Sequence, residues 1–381
     1  YRFNLEDKKL VINGLIKLGI SHIEFFSPAV GEIEKYEFLE IKRYIQAITS
    51  KKIFLLSHCR CHEKDISEAL NLGFDGLNLY MGISQYAQKY SLKHNFREIL
   101  KLIKNIIITT RRNNPDLYIR FSVEDSFRTH LKNIYQVFDE VYQYVDTLGI
   151  PDTTGIATPF LVKERINLFK SRYPDINLEC HFHNDRGLAL INAMTAIFSG
   201  VEYLDTSVWG LAERSGITSL TGLLFNLFFV NSAYCKNYNL NLCYPLNILL
   251  ASILGIQVPV TEPVSLTNRT HTAGVHQKAV LNQVKVYEAH DLEKFGVTKN
   301  QILLGPLSGW NLIYYYLKEV EGYNLSRDQA KEITRDYKRQ IGKINKEFRP
   351  EVLLQNIVDH YPLIKVVLPE DYQAKRIENL T

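Results

Sequence analysis

The residues best suited to chemistry lie in the stretch NLECHFHND, residues 177–185. It starts as an alternating strand, in which side chains two apart point the same way. Glu179, His181 and His183 therefore share one face, and Leu178, Cys180 and Phe182 share the other. Two neutral imidazoles side by side at a strand end can clamp a divalent metal, and a nearby carboxylate or amide can help. The competing reading is a pair of histidines satisfied by ordinary hydrogen bonds, because an isolated H-x-H is a weak motif.

A second run, Arg120-Phe-Ser-Val-Glu124, alternates cleanly, so Arg120, Ser122 and Glu124 point one way together. Burying such a trio is costly unless its members bind one another or a ligand. An arginine offers a bidentate fork to a carboxylate. A metal held by two histidines can act as a Lewis acid on a carbonyl oxygen. Metal and arginine together suit a 2-oxo acid with a second carboxylate. Glu124 and Glu179 are candidates for proton transfer, with pKa raised by burial.

Other motifs carry less. HCRCH, 58–62, has two Cys and two His, but they are too tightly spaced for one tetrahedral zinc site. Alternation also turns Cys59 and Cys61 away from His58 and Arg60. GLAERSG, 210–216, reads as a Gly-rich turn. His271 and His276 lie in a polar segment around Gly274 that reads as a loop turning helical.

The elements that must position these residues follow a β-α alternation. Helix 4–18 is capped by Asn4, carries Glu6 and Asp7 in its first turn, and ends at Gly19. Strands are expected at 22–28, 53–60, 76–82, 118–126, 145–153, 177–182 and 203–210, with helices at 64–72, 96–111, up to 142, 159–171, 188–198 and from 220. Such alternation implies parallel strands with right-handed crossovers, and a (β/α)8 TIM barrel is the expected closure. Only seven strands are counted and the chain opens on a helix, so the first strand is expected upstream of residue 1. Active sites of such barrels sit at the C-terminal strand ends. Here those ends offer Glu24 and Ser27, His58 and Arg60, Asn78, Asp152 and Thr153, and Asp205 and Ser207, besides the two runs above. The expected division is a barrel over 1–228, a linker and small lid-forming subdomain over 229–310, and a helical region over 311–381, whose charges from 327 to 346 form a solvated face.

With 381 residues, 46% hydrophobic, 23% charged and a formal charge of +4, the chain reads as a soluble globular protein with little support for nucleic-acid binding. No apolar run reaches the roughly 20 residues that span a bilayer. Five cysteines without framework spacing suit a reducing, cytoplasmic setting.

Taken together, SPAV, SHCRCH, GISQYAQKYS, RFSVEDSFR, DTTGIATP, ECHFHND, DTSVWGLAERSGITSL, THTAGVHQKA and SGWN resemble the metal-dependent DRE-TIM acyltransferases, and within them the homocitrate synthases. They run in the family's order from residue 27 to 311. The resemblance implies condensation of acetyl-CoA with 2-oxoglutarate, assisted by a divalent metal (zinc first, magnesium or manganese as alternatives), followed by thioester hydrolysis. It implies His181 and His183 as metal ligands. Arg120, Ser122, Thr153 and His58 become substrate contacts, and Glu124 and Glu179 active-site acids. His276 becomes a catalytic histidine on a small subdomain, with Tyr287 as its partner, and a domain-swapped homodimer is implied. The alternatives are a different oxo-acid acceptor, as in isopropylmalate or citramalate synthases, or a non-catalytic metabolite-binding descendant. Three features depart from the family pattern. Its Arg-Glu opening strand, which supplies a carboxylate ligand and a catalytic arginine, is expected before Tyr1. Asn78 stands where lysine-pathway homocitrate synthases tend to carry Asp. Ala212 and Thr272 replace a usual Gly and Lys.

Overall fold

Residues 2–343 and 349–366 are described by the computed structural model. The end of the charged stretch, 344–346, and the tail of the expected C-terminal region, 367–381, lie outside them. The chain divides into two compact units, Tyr1–Val264 and Ser265–Thr381.

In the first unit the apolar alternation produces the expected sheet. Helix α1 (Leu5–Leu18) opens it. Asn4 accepts from the Asp7 amide at 2.9 Å while Asp7 accepts from the Asn4 amide at 3.0 Å, a reciprocal cap that fixes the helix start. Strands β1 (His22–Phe26), β2 (Phe54–Arg60), β3 (Gly76–Gly82), β4 (Tyr118–Glu124), β5 (Thr147–Asp152), β6 (Asn177–Phe182) and β7 (Tyr203–Leu204) follow. They form one seven-stranded sheet in sequential order, parallel throughout. Helices α2 (Glu32–Ile48), α3 (Glu63–Leu72), α4 (Phe96–Asn113), α5 (Leu131–Val141), α6 (Pro159–Arg172) and α7 (Ala189–Phe198) are the crossovers; α8 (Leu220–Val230) follows β7. This is the TIM-barrel arrangement of curled parallel sheet and surrounding helices.

One face of each strand feeds the layer between sheet and helices. Leu77, Leu79, Ile119, Phe121, Val123, Leu148, Ile150, Leu178, Cys180 and Phe182 are all fully buried. The other face points to the barrel axis and carries the polar residues. The sheet's edges, β1 and β7, do not pair with each other. They curl close enough for the rings of His22 and Tyr203 to lie 5.8 Å apart.

Two expectations need correction. The last strand, expected over 203–210, is only Tyr203–Leu204 long. Beyond it the chain turns back on itself: the Ser207 amide donates to Thr218 at 3.2 Å and the Leu220 amide to Ser207 at 2.9 Å, so these groups leave the ladder. Helix α2 fills an interval for which no element is expected, and it buries Phe38, Ile41 and Ile45.

Helix α9 (Cys243–Leu254) belongs to this unit, because Gly14 of α1 lies so close that an added Cβ would sit 2.8 Å from Leu246 Cδ1. The second unit contains a two-stranded parallel pair, β8 (Thr270–His271) with β9 (Gln301–Ile302), and helix α10 (Gly274–Asn282). Helices α11 (Trp310–Tyr315), α12 (Arg327–Ile341) and α13 (Pro350–Val358) pack around Ile313, Ile333, Tyr337 and Leu354.

Gly149 shows how the fold makes room for the site. In register it lies between Ser122 on β4 and Glu179 on β6. An added Cβ would meet Ser122 Oγ at 2.0 Å and Glu179 Oε2 at 2.8 Å. Gly149→Ala should therefore destabilise the protein by about 1–3 kcal/mol through overpacking. Urea unfolding should show a lower midpoint at an unchanged slope.

Candidate active site

One cavity of about 1250 Å³ runs from the inward faces of the strands out to Val11 and Ile12 of α1 and Phe38 and Ile41 of α2, and Glu24, His58, Asn78, Arg120, Ser122, Glu124, Thr153, Glu179, His181, His183 and Asp205 line it. The alternation read in the sequence brings these together as expected. Asp152 is an exception. Its carboxylate turns away and accepts from the amides of Ile156 and Ala157, both at 3.0 Å, so it caps a turn instead of facing the cavity.

Arg120 is the centre of the site, and it is 3% exposed. Its Nη1 donates to Asp205 Oδ1 at 2.9 Å, and its Nη2 donates to Asp205 Oδ2 at 3.1 Å and to Glu24 Oε2. Glu179 Oε1 lies 3.9 Å from Nη1. Burial opposes the guanidinium's charge, but Asp205, Glu24 and Glu179 more than restore it, so its pKa is pushed well above the usual value. The sequence gives no hint that Arg120 joins Glu24 to Asp205, since the partners are 96 and 85 residues away.

The carboxyl groups divide by environment. Burial drives the Glu179 pKa well above the usual range, and Asp205 adds to it, so the site favours the protonated form of Glu179. Burial acts the same way on Asp205 but is outweighed by Arg120 and His181, so Asp205 stays ionised. The pKa of Glu124 is raised by burial and by Asp125. It has no hydrogen-bond partner among the described residues.

A side network lies beside this cluster. The Asn78 amide nitrogen lies 3.1 Å from Glu24 Oε2 and 2.9 Å from His58 Nδ1, while Ser122 donates to Asn78 Oδ1 at 3.0 Å. His58 stacks on Tyr80 at 4.4 Å. Thr153 Oγ1 accepts from the Asp125 amide at 2.8 Å.

The two histidines of the opening motif stand together, with ring centroids 4.9 Å apart. His181 Nδ1 lies 3.5 Å from Asp205 Oδ2. His183 Nδ1 is buried without a partner. Burial, then His181 and Arg214, lower the His183 pKa, so this ring is neutral. Among the described residues, no group of three or more His, Cys, Asp or Glu side chains is arranged to hold a metal ion. Two adjacent imidazoles, one of them neutral with an unused buried nitrogen, nevertheless fit two ligands of a divalent cation. The surplus of carboxylate over guanidinium beside them favours a cation electrostatically.

In the second unit, His276 and Tyr287 stack with centroids 3.9 Å apart. His271 has a different place. It is buried and lies 2.9 Å from Glu288, which also accepts from Arg269 at 2.7 Å.

Comparison with known proteins decides the family. Residues 1–243 match the HMGL-like family model, and residues 264–344 match the "Homocitrate synthase post-HMGL domain-like" model. The chain is 34% identical over 342 residues to the cytosolic homocitrate synthase isozyme of Saccharomyces cerevisiae, covering 88% of this chain and 77% of that protein. The chain belongs to the homocitrate synthase family. The mitochondrial homocitrate synthase of Schizosaccharomyces pombe is 33% identical, over 87% of this chain and 78% of that protein. A 2-isopropylmalate synthase of Ruminiclostridium cellulolyticum is more distant, at 28% identity over 86% of this chain and 65% of that protein. Among solved structures, an HMG-CoA lyase of Bacillus subtilis shares the fold, with a TM-score of 0.58 at 20% identity over 68% of this chain and 90% of that one. A homocitrate synthase family member is an acyltransferase-type enzyme, and the cavity supplies the acids and bases such chemistry uses.

The opposed carboxyl states give a pH test. Asp205, with a depressed pKa, stabilises the fold above the usual carboxylate pKa, and that contribution is lost as pH falls below it. Glu179, with a raised pKa, favours the fold most at low pH, and its contribution is lost as pH rises through its folded value. In metal-free protein Glu179→Gln should abolish the second loss and cost little at neutral pH. Asp205→Asn should cost on the order of 3 kcal/mol by stripping a partner from a buried charge. Urea unfolding from pH 2 to 8 checks both.

Proposed function

We propose that this chain condenses acetyl-CoA with 2-oxoglutarate and hydrolyses the thioester, releasing homocitrate and CoA. One observation carries the reading: a buried guanidinium, two adjacent imidazoles and carboxyl groups of opposed protonation line a single cavity. A divalent metal, zinc first and magnesium or manganese as alternatives, would be held by His181 and His183, and when bound it polarises the keto group.

The chain's own residues supply the rest. Arg120 meets the distal carboxylate of 2-oxoglutarate by exchanging one of its present carboxylate partners for it. A dicarboxylic acid has the second carboxylate to make that exchange and a monocarboxylic acid has not; the displaced side chain stays in the cavity. Ser122 and Thr153 offer hydroxyls beside it, and His58 a ring nitrogen. Thr153 Oγ1 already accepts from a backbone amide, which leaves its O–H free to donate. His276, aligned by its stack on Tyr287, is the base for the methyl proton of acetyl-CoA. Glu124, half-buried, and Glu179, whose protonated form the site favours, are the groups suited to move a proton within the cavity.

Delivery of His276 by the second unit of a partner copy, in a domain-swapped homodimer, is supported by exposed apolar side chains on both units. Val275 and Val286 are the chain neighbours of His276 and Tyr287, and with Leu307 they are exposed in one; Phe26, which ends β1, and Val30 and Ile33, which follow it, are exposed in the other. A cytoplasmic setting is supported by five free, buried cysteines. The two relatives named above are cytosolic and mitochondrial respectively.

CoA thiol release from acetyl-CoA should depend on 2-oxoglutarate and exceed that with pyruvate, 2-oxoisovalerate or oxaloacetate. Chelation should abolish it and a divalent cation restore it. Faster release with any of these three acids would overturn the acceptor assignment, and faster release with a monocarboxylic one would also remove the role given to Arg120. His276→Ala should lower kcat by about 10²–10⁴-fold, the usual span for a general base, with a smaller effect on KM for 2-oxoglutarate.

A further inference from the structure

The turn that carries Ala212 leaves one arginine without a role in the reading above. Arg214 adopts a left-handed backbone, φ +55°, which a side chain larger than glycine seldom takes. From there its Nε donates to Asp185 Oδ1 at 2.8 Å, and its Nη2 donates to Asp185 Oδ2 at 3.0 Å. Nη2 also donates to the carbonyl of Thr153 at 2.8 Å. One guanidinium thus binds the loops that follow β5, β6 and β7.

The surrounding backbone is built to admit this fork. An added Cβ at Gly155, φ +64°, would sit 2.5 Å from Asp185 Oδ2, so only glycine leaves the carboxylate in place. Gly216, φ +87°, lets its carbonyl accept from the Asn184 amide at 2.8 Å. His183 makes an isolated antiparallel bridge with Ile217, and its amide donates to Asp152 at 3.3 Å. His183 is two residues from Asp185, and Thr153 carries the bound carbonyl itself. Arg214 and Asp185 are both partly exposed, with side-chain exposures of 43% and 27%. Ion pairs of that exposure add little to global stability. A strained residue making a bidentate, three-bond clamp at a surface is thus better explained by positioning than by stability.

We infer that Arg214 is a positioning residue: by clamping Asp185 and the Thr153 carbonyl it fixes His183 and Thr153 in their orientations at the cavity. The inference rests on the proposed function for what those two residues do, but the clamp itself can be read without it.

The test uses the full-length chain with Arg214→Ala, Arg214→Lys and Asp185→Asn. Zinc and manganese binding are measured by calorimetry on the metal-free protein, and hydrogen exchange is followed in segments 152–157 and 183–187. Arg214→Ala should weaken metal binding by about 10–100-fold, the range typical of residues that orient a ligand. Exchange should quicken in both segments while the melting temperature stays put. Arg214→Lys should recover little, because an ammonium cannot make the fork. Asp185→Asn serves if Arg214→Ala does not fold. Unchanged affinity and unchanged exchange in a folded variant would overturn the inference. If the wild type binds neither metal, the proposed function fails, and exchange alone then decides the clamp: faster in both segments supports it, unchanged refutes it.

Discussion

A single buried guanidinium holds the inner face of this barrel together. Arg120, from the middle of the sheet, bonds to Glu24 on the first strand and to Asp205 just past the last. These strands are the open edges of the sheet and share no ladder hydrogen bonds. The charge that would be expensive alone is thus compensated from both edges, and the polar groups around it are ordered by the same contacts. A buried ion pair is weak evidence for stability, but here Glu24, Glu179 and Asp205 converge on one guanidinium from three separate parts of the sheet, which specifies one arrangement.

The arrangement also explains why similar carboxyl groups behave differently. Asp205 faces the guanidinium directly, which holds its pKa down, whereas Glu179 is buried at a greater distance and its pKa is pushed up. A site with a charged acid, a neutral acid and a neutral imidazole within one cavity is equipped for proton transfer in either direction. The second unit holds the stacked His276 and Tyr287, to which the proposal assigns its one step outside the barrel unit.

Much of this was legible in the chain. Period-two alternation alone placed Arg120, Ser122, Glu124, Glu179 and His181 on the cavity face, because a strand offers no other choice. The cap at Asn4 and the stop at Gly19 bounded α1. The rest needed three dimensions. Nothing local says that Glu24, set in an apolar strand, meets an arginine 96 residues on. Asp152 looked like a site residue because it ends a strand, but two free amides downstream claimed it. The last strand read as long because 203–208 is β-prone, whereas Ser207 pairs with the chain returning at 218–220. Helix α2 did leave a signal, the stripe Phe38, Ile41 and Ile45, at helical spacing.

The central claim is that this cavity brings a cation on His181 and His183 to a 2-oxo dicarboxylate gripped by Arg120. The most direct measurement is a crystal structure of the manganese-loaded protein with 2-oxoglutarate, using anomalous scattering to locate the ion. One anomalous peak should touch both imidazoles, and the Arg120 guanidinium should have turned from one of its carboxylate partners to the distal carboxylate of the acid. An ion bound elsewhere, or a guanidinium still held by both Glu24 and Asp205 with the acid outside its reach, would contradict it.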